Sequence, residues 1–216
     1  VNEQVAMDII SKGPLLVNQL SEWGVDLEGS FGKGKSGIEG GHSVRRVLHY
    51  KDRTGKLISE ILTERCTERG NIRVIQPAFA VNLLTASREM PELVENAVDR
   101  CIGAHILHSG TISTVLAGET VIATGGSGKV YRYTSNQDSA TGDGIAMACR
   151  AGLSIKNMEF YQFHPTCLFH PDKRNFLITE ALRGEGAILL NLEGERFMEN
   201  YDPGRMELAP RDIVAR

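Results

Sequence analysis

An apolar run ends abruptly in glycine at Thr120-Val121-Ile122-Ala123-Thr124-Gly125-Gly126-Ser127-Gly128. β-Favouring residues followed by adjacent glycines predict a strand that delivers bare backbone to the carboxyl edge of a sheet. That edge is where α/β folds bind cofactors. A plain strand-to-loop turn uses the same residues, so this stretch alone leaves both readings open. Farther along, Thr141-Gly142-Asp143-Gly144 opens a helical pattern, Ile145-Ala146-Met147-Ala148. A carboxylate in that place caps unpaired helix N–H groups or accepts from a ligand hydroxyl. The presence of both segments in one chain weakens the capping reading. A third glycine cluster, Gly29 to Gly41 with Lys33 and Lys35 inside it, reads as a loop.

Between these segments the periodicities alternate. Residues 2–23 predict a helix with a break or restart at Gly13-Pro14, an apolar stripe of Val5, Ile9, Leu16, Leu20 and Trp23, and Gly24 as its cap. Lys56 to Arg69 predicts a second helix. Ile72–Ile75, Ala78–Thr85, Cys101–Leu107 and Thr120–Ala123 read as strands, and Asp143–Ala151 as a helix closed by Gly152. Phe176–Arg183 predicts a further helix, Glu193-Gly194 a hairpin turn, and Pro210 a helix start. Strands alternating with helices predict an α/β sheet, with a separate α+β lobe after about residue 152.

Composition narrows the function. Lys plus Arg total 24 against 27 Asp plus Glu, a net charge of −3, which disfavours a phosphate-backbone partner. A scaffold or nucleic-acid module on Gly29–Arg46 would rest on Lys33, Lys35, Arg45 and Arg46, yet that stretch has one aromatic, Phe31, where stacking platforms want more. The cysteines, at 66, 101, 149 and 167, form no Cys-x-x-Cys pair. A metal site is therefore not expected, and a reduced, cytoplasmic compartment is. Cys101–Gly118 is uncharged but too polar to span a membrane, and no signal peptide is visible at Val1. A chain of 216 residues would bury about 70% of its unfolded surface. The missing initiator Met and a helix barely begun at Arg216 predict a piece of a longer chain.

Three more segments carry polar chemistry. They are Phe163-His164-Pro165-Thr166-Cys167, Ile178-Thr179-Glu180-Ala181-Leu182-Arg183-Gly184-Glu185-Gly186, and Glu207 to Arg216. Each alone has a structural explanation: a surface histidine, a cap, a salt bridge. Arg211 is odder, because a cation in the first turn opposes the helix dipole, and an anionic ligand would give it a reason to be there.

Taken together and in order, these segments resemble the flavoprotein family that contains succinate dehydrogenase, fumarate reductase and L-aspartate oxidase. Thr120–Gly126, Tyr131-Arg132-Tyr133-Thr134 and Thr141–Ala148 resemble its flavin-domain core. Phe160–Thr166, Leu177–Gly186 and Glu207–Arg216 resemble its substrate-capping domain. The resemblance implies an α/β fold: part of an FAD-binding Rossmann-like domain over residues 1–152 and the start of an α+β capping domain over residues 153–216. Glu39-Gly40-Gly41-His42, continuing to His49, resembles the L-aspartate oxidase branch, since dicarboxylate-only relatives typically lack a carboxylate there. An acidic side chain is the natural partner of the ammonium that distinguishes aspartate from succinate.

The resemblance therefore implies FAD as cofactor, with Thr124, Gly125, Gly126 and Asp143 binding it. It implies L-aspartate or fumarate in contact with Glu39, His164, Thr179 and Glu180, and Arg211 as the acid/base. The implied activity is oxidation of L-aspartate to iminoaspartate, with oxygen or fumarate as acceptor and NAD biosynthesis as destination. A succinate dehydrogenase or fumarate reductase flavoprotein subunit, which needs iron–sulfur partners, is the alternative. The family's Gly-x-Gly-x-x-Gly strand turn and its C-terminal part are absent, so weak or no flavin binding by this chain alone is expected.

Overall fold

A computed structural model describes residues 2–28, 36–93, 99–171 and 176–216. Phe31, Lys33, Lys35 and Gly29, Gly32 and Gly34, on which the basic-loop reading rests, lie outside these residues. The chain divides into two compact units, Val1–Val74 with Thr179–Arg216, and Ile75–Ile178.

The second unit is organised by an antiparallel meander in the order β1-β2-β3: β1 (Ala78–Thr85), followed by the short helix α3 (Ala86–Glu89), β2 (Cys101–His108) and β3 (Thr111–Leu116). The first two strands fall where the sequence places them. The third follows a two-residue turn whose Ser109 and Gly110 have φ of 51° and 77°. Two successive positive φ values match the twist of a tight hairpin. The β1–β2 register slips between Ala80 and Asn82. The carbonyl of Val81 in that slip accepts from Arg150 Nη2 at 2.8 Å, while Arg150 Nε donates to Asn82 Oδ1 at 2.7 Å. Arg150 ends α4 (Asp143–Arg150), so one side chain in the last turn, where a cation suits the helix dipole, satisfies an irregularity of the sheet. Leu83, Leu84, Ala86, Ala140, Met147 and Ala148 are the buried apolar side chains among the described residues of this unit.

Two expected strands are absent. Ile72–Ile75 and Thr120–Ala123 run without ladder partners among the described residues. A strand is defined by the neighbour that pairs with it, and β-favouring composition supplies only half of that condition. The expected helix at Phe176–Arg183 is also corrected. Phe176–Leu177 is strand β5, paired with β4 (Cys167–Leu168), and only Ala181–Gly184 forms a helix, α5. An isolated four-residue turn lies below the length at which helices are stable, so here tertiary contacts decide the conformation.

In the first unit, α1 (Glu3–Glu22) passes through Pro14 without the expected break. Its apolar stripe is present but uncovered: Val5, Ile9 and Leu16 are all more than half exposed. The helix closes as the sequence predicts, with Val25 N–H reaching Leu20 O and Gly24 N–H reaching Ser21 O. This pair of bonds uses up two orphan carbonyls, and Val25 is 1% exposed beneath it. Helix α2 (Thr54–Thr67) donates from Arg65 to the carbonyl of Trp23, tying the two helix C-termini together. The 193–194 turn forms as expected, with Leu190 bridged to Arg196. Pro210 caps α6 (Arg211–Val214). None of the described helices is long and apolar enough to cross a membrane.

Candidate functional site

The candidate residues fall into two groups, one in each unit. In the first unit, residues 37–47 form a loop closed at its base by Gly37 and Val47, which exchange backbone hydrogen bonds of 2.9 and 3.0 Å. The loop lies on α5 and on the chain entering α6. Gly41 N–H donates to Leu208 O at 2.8 Å. A Cβ on Gly40 would stand 2.8 Å from Glu180 Oε1 and 3.0 Å from Ala209 O, and one on Gly184 would run into the carbonyl oxygen of Ile38. Only glycine permits both approaches, and Glu39 and Thr179 both line a cleft of about 1070 Å³. Arg45, His49, Lys51, Thr54 and Glu185 complete much of its lining.

Beneath the loop lies a chain of charges. Glu180 is 4% exposed. Its Oε2 accepts from Arg211 Nε at 2.9 Å and Nη2 at 2.8 Å, and its Oε1 accepts from Arg183 Nη2 at 2.7 Å. Arg183 is itself 4% exposed and also donates through Nη1 to the carbonyl of Glu207. The Glu207 side chain is buried too. It takes a two-pronged bond from Arg196 and a third from Leu189 N–H. Burial pushes the Glu180 carboxyl up, but Arg211 first and Arg183 second outweigh it and hold the group below the usual carboxylate range. Glu207 is also held low, chiefly by its hydrogen bonds from Arg196. The sum over Arg211, Glu180 and Arg183 is one positive charge, suited to an anionic ligand at the half-buried end, Arg211.

In the second unit, the chain at 122–128 lies against the mouth of α4. Gly142 N–H donates to Gly126 O at 3.2 Å, and a Cβ on Gly144 would overlap Thr124 Oγ1. Gly125 has φ of +75°, and nothing stands within 4 Å of where a Cβ on Gly125 or Gly126 would be. The backbone there faces open space beside a helix N-terminus whose first residue is Asp143. Asp143 Oδ2 accepts from Thr141 Oγ1 at 2.9 Å. Bare backbone, first-turn N–H donors and a carboxylate acceptor fit a nucleotide-type cofactor with phosphates and ribose hydroxyls. His164 lies in this unit as well. Its Nδ1 is turned to the backbone of Thr166, 3.2 Å from N and 3.0 Å from O.

The structure thus joins Glu39, Thr179, Glu180 and Arg211 in one unit, and Thr124, Gly125, Gly126 and Asp143 in the other. Sequence reasoning marks Arg183 only as the end of a helix and does not single out Arg196. The spacing Glu180-x-x-Arg183, one helical turn apart, is the available signal for the first. Nothing local points to Arg196, which sits on the 193–194 hairpin and bonds to Glu207 eleven residues on. Arg45, placed among a basic loop's cations, instead pairs with Glu185 at 2.6 Å.

A family model described as an FAD binding domain matches residues 2–216. The L-aspartate oxidase of Pseudomonas aeruginosa is 52% identical over 181 residues, which is 82% of this chain and 32% of that protein. L-aspartate oxidase 2-a, chloroplastic, of Nicotiana tabacum is 41% identical over 226 residues, covering 100% of this chain and 34% of its own length. The chain thus spans about a third of the relatives it matches. A solved structure of an E. coli quinol fumarate reductase variant superposes with a TM-score of 0.81 at 31% identity, over 94% of this chain and 35% of that one.

Proposed function

Because this chain belongs to the FAD binding domain family, whose cofactor is FAD, we propose that it serves the FAD-dependent oxidation of L-aspartate to iminoaspartate. The reaction takes a hydride from Cα and a proton from the amine, and its electrons pass on to oxygen or fumarate. FAD, when bound, supplies the two-electron acceptor. The chain's own residues bind and orient. Gly125, Gly126 and the first turn of α4 would receive the cofactor's phosphates, with Thr124 beside them and Asp143 accepting from a hydroxyl. Residues 1–152 would form part of the flavin domain and residues 153–216 part of a capping domain.

The observation that carries the reading is that Glu39 and Thr179 line the same cleft, and that the loop bearing Glu39 packs through Gly40 on Glu180, which Arg211 and Arg183 clasp. A dicarboxylate with an ammonium group needs a cation for a carboxylate and an anion for the amine, roles that Arg211 and Glu39 would fill. Arg211 would hold a substrate carboxylate and act as the acid/base, exchanging its proton through Glu180. An arginine on its own gives up a proton too reluctantly to serve. His164 would contribute a further substrate contact. Iminoaspartate formed this way would feed quinolinate and so NAD synthesis. Four free cysteines fit a reducing, cytoplasmic setting.

The fold likeness to fumarate reductase favours a second reading, a succinate- or fumarate-handling flavoprotein subunit. Glu39 argues against it, since a carboxylate at the amine position repels nothing in aspartate but lacks a partner in succinate. Glu39→Gln in the flavin-loaded protein tests the choice. The KM for aspartate should rise about tenfold or more, the equivalent of one lost charge-assisted bond, while that for fumarate changes little. Equal effects on both would remove Glu39 from the amine and the proposal with it.

A further inference from the structure

Contacts of two kinds join the 37–47 loop to the segments that carry Thr179, Glu180 and Arg211. The 37–47 loop docks on α5 through close packing at Gly40 and Gly184, and on the chain entering α6 through Gly41. From the same loop, Arg45 Nη1 donates to Glu185 Oε1 at 2.6 Å and to Ser36 O at 3.3 Å. Ser36 sits at the base of the loop, and Glu185 is the C-terminal cap of α5. A single guanidinium therefore joins the base of the loop that carries Glu39 to the far end of the helical turn that follows Thr179 and Glu180.

We propose that Arg45 and Glu185 act as a positioning latch, setting the distance between Glu39 and Thr179 and hence the fit of an amino dicarboxylate. This rests on the reading of the cleft as the substrate site. Both side chains are more than half exposed, at 51% and 62%. An exposed pair adds little to stability, because solvent screens it and ordering two long side chains costs entropy. A contact of that kind is ill-suited to hold a fold together, yet a shift of about 1 Å in a binding group is enough to cost affinity and rate. Arg45 also holds the Glu185 carboxyl below the usual range, through the hydrogen bond first and charge second.

The test is a double-mutant cycle in the flavin-loaded protein, read by steady-state kinetics and by calorimetric binding of L-aspartate. Arg45→Ala and Glu185→Ala should each raise the dissociation constant and the KM about three- to tenfold, with a smaller change in kcat and no change in melting temperature. The double variant should match either single one, and the charge-reversed pair Arg45→Glu with Glu185→Arg should recover part of the affinity. Unchanged affinity in the single variants, or additive losses in the double one, would overturn the latch. Affinity loss that tracks a falling melting temperature would do the same, since it would make the pair merely structural. Glu39→Gln separates the two levels. If it weakens binding while Arg45→Ala does not, the latch alone falls; if neither weakens binding, the cleft is not the substrate site and both fall.

Discussion

The two candidate regions are built from opposite materials. In the first unit the candidate residues sit on buried charge: Glu180, Arg183 and Glu207 are each 4% exposed and bonded to one another or to Arg211 and Arg196. In the second unit the flavin candidates are mostly backbone: two glycines facing open space, and a helix mouth, headed by Asp143, whose close approach to Thr124 only Gly144 allows. Thr85 is the one buried polar residue described in that unit. A charged wall recognises a small ion by sign and distance. A bare backbone edge recognises phosphates and hydroxyls by the donors it leaves uncovered. The difference predicts different vulnerabilities, which substitutions and acid should expose in one region and spare in the other.

The largest contrast should come from Glu180→Leu. Removing the carboxylate strands Arg183 as a buried, unpaired cation, and losing one partner of such a pair costs about 3–5 kcal/mol. Hydrogen-exchange protection should drop across residues 180–214 while the β1–β2 amides stay protected. Loss of protection in both units together would show that they unfold as one and would break the comparison.

Gly184→Ala and Gly144→Ala make a matched pair of smaller steps. Each adds one methyl against an atom already in contact, which typically costs about 1–3 kcal/mol. The first should displace the Ile38 carbonyl and weaken aspartate binding. The second should push Thr124 and Ile122 off α4 and weaken flavin binding, measured by fluorescence quenching of titrated FAD. If each variant harmed both ligands equally, the division of labour would be wrong.

Acid should separate the units more gently. Glu180 and Glu207 have folded-state pKa values below their ordinary value of 4.5. A carboxylate whose pKa is depressed by folding adds stability that is complete above that ordinary value. This stability is lost as pH falls through the lower folded value, where the native pairs must take up protons. A pH titration followed by residue-resolved exchange should therefore show the first unit loosening from about pH 4.5 downward, with a shallower response in β1–β3. An identical profile in both units would mean that the ion chain carries none of the acid sensitivity.

How much of the molecule is legible in the sequence follows the same divide. The strand pair at Ala78–Thr85 and Cys101–His108 and helices α2 and α4 can be read, because local periodicity and glycine caps decide them. Thr120–Ala123 misleads for the opposite reason: its composition suits a strand, but strand formation depends on a partner that the sequence of the segment cannot specify. Apolar spacing draws Phe176–Leu177 toward a helix when its pairing with Cys167–Leu168 decides otherwise. In the candidate sites, Glu39, Glu180 and Arg211 can be picked out by resemblance, yet nothing in the linear order shows that Arg211 clasps Glu180. Their union depends on Gly40 and Gly184, whose lack of a Cβ allows the loop to settle on α5.

The central claim is that one region takes FAD and the other an amino dicarboxylate. Hydrogen exchange on the protein, first with saturating FAD and then with L-aspartate added, addresses it most directly. FAD should slow exchange at residues 124–127 and 141–146, and L-aspartate should add protection at residues 38–41 and 179–181, with succinate adding less. Protection of the same segment by both ligands, or equal protection by aspartate and succinate at residues 38–41, would contradict the account.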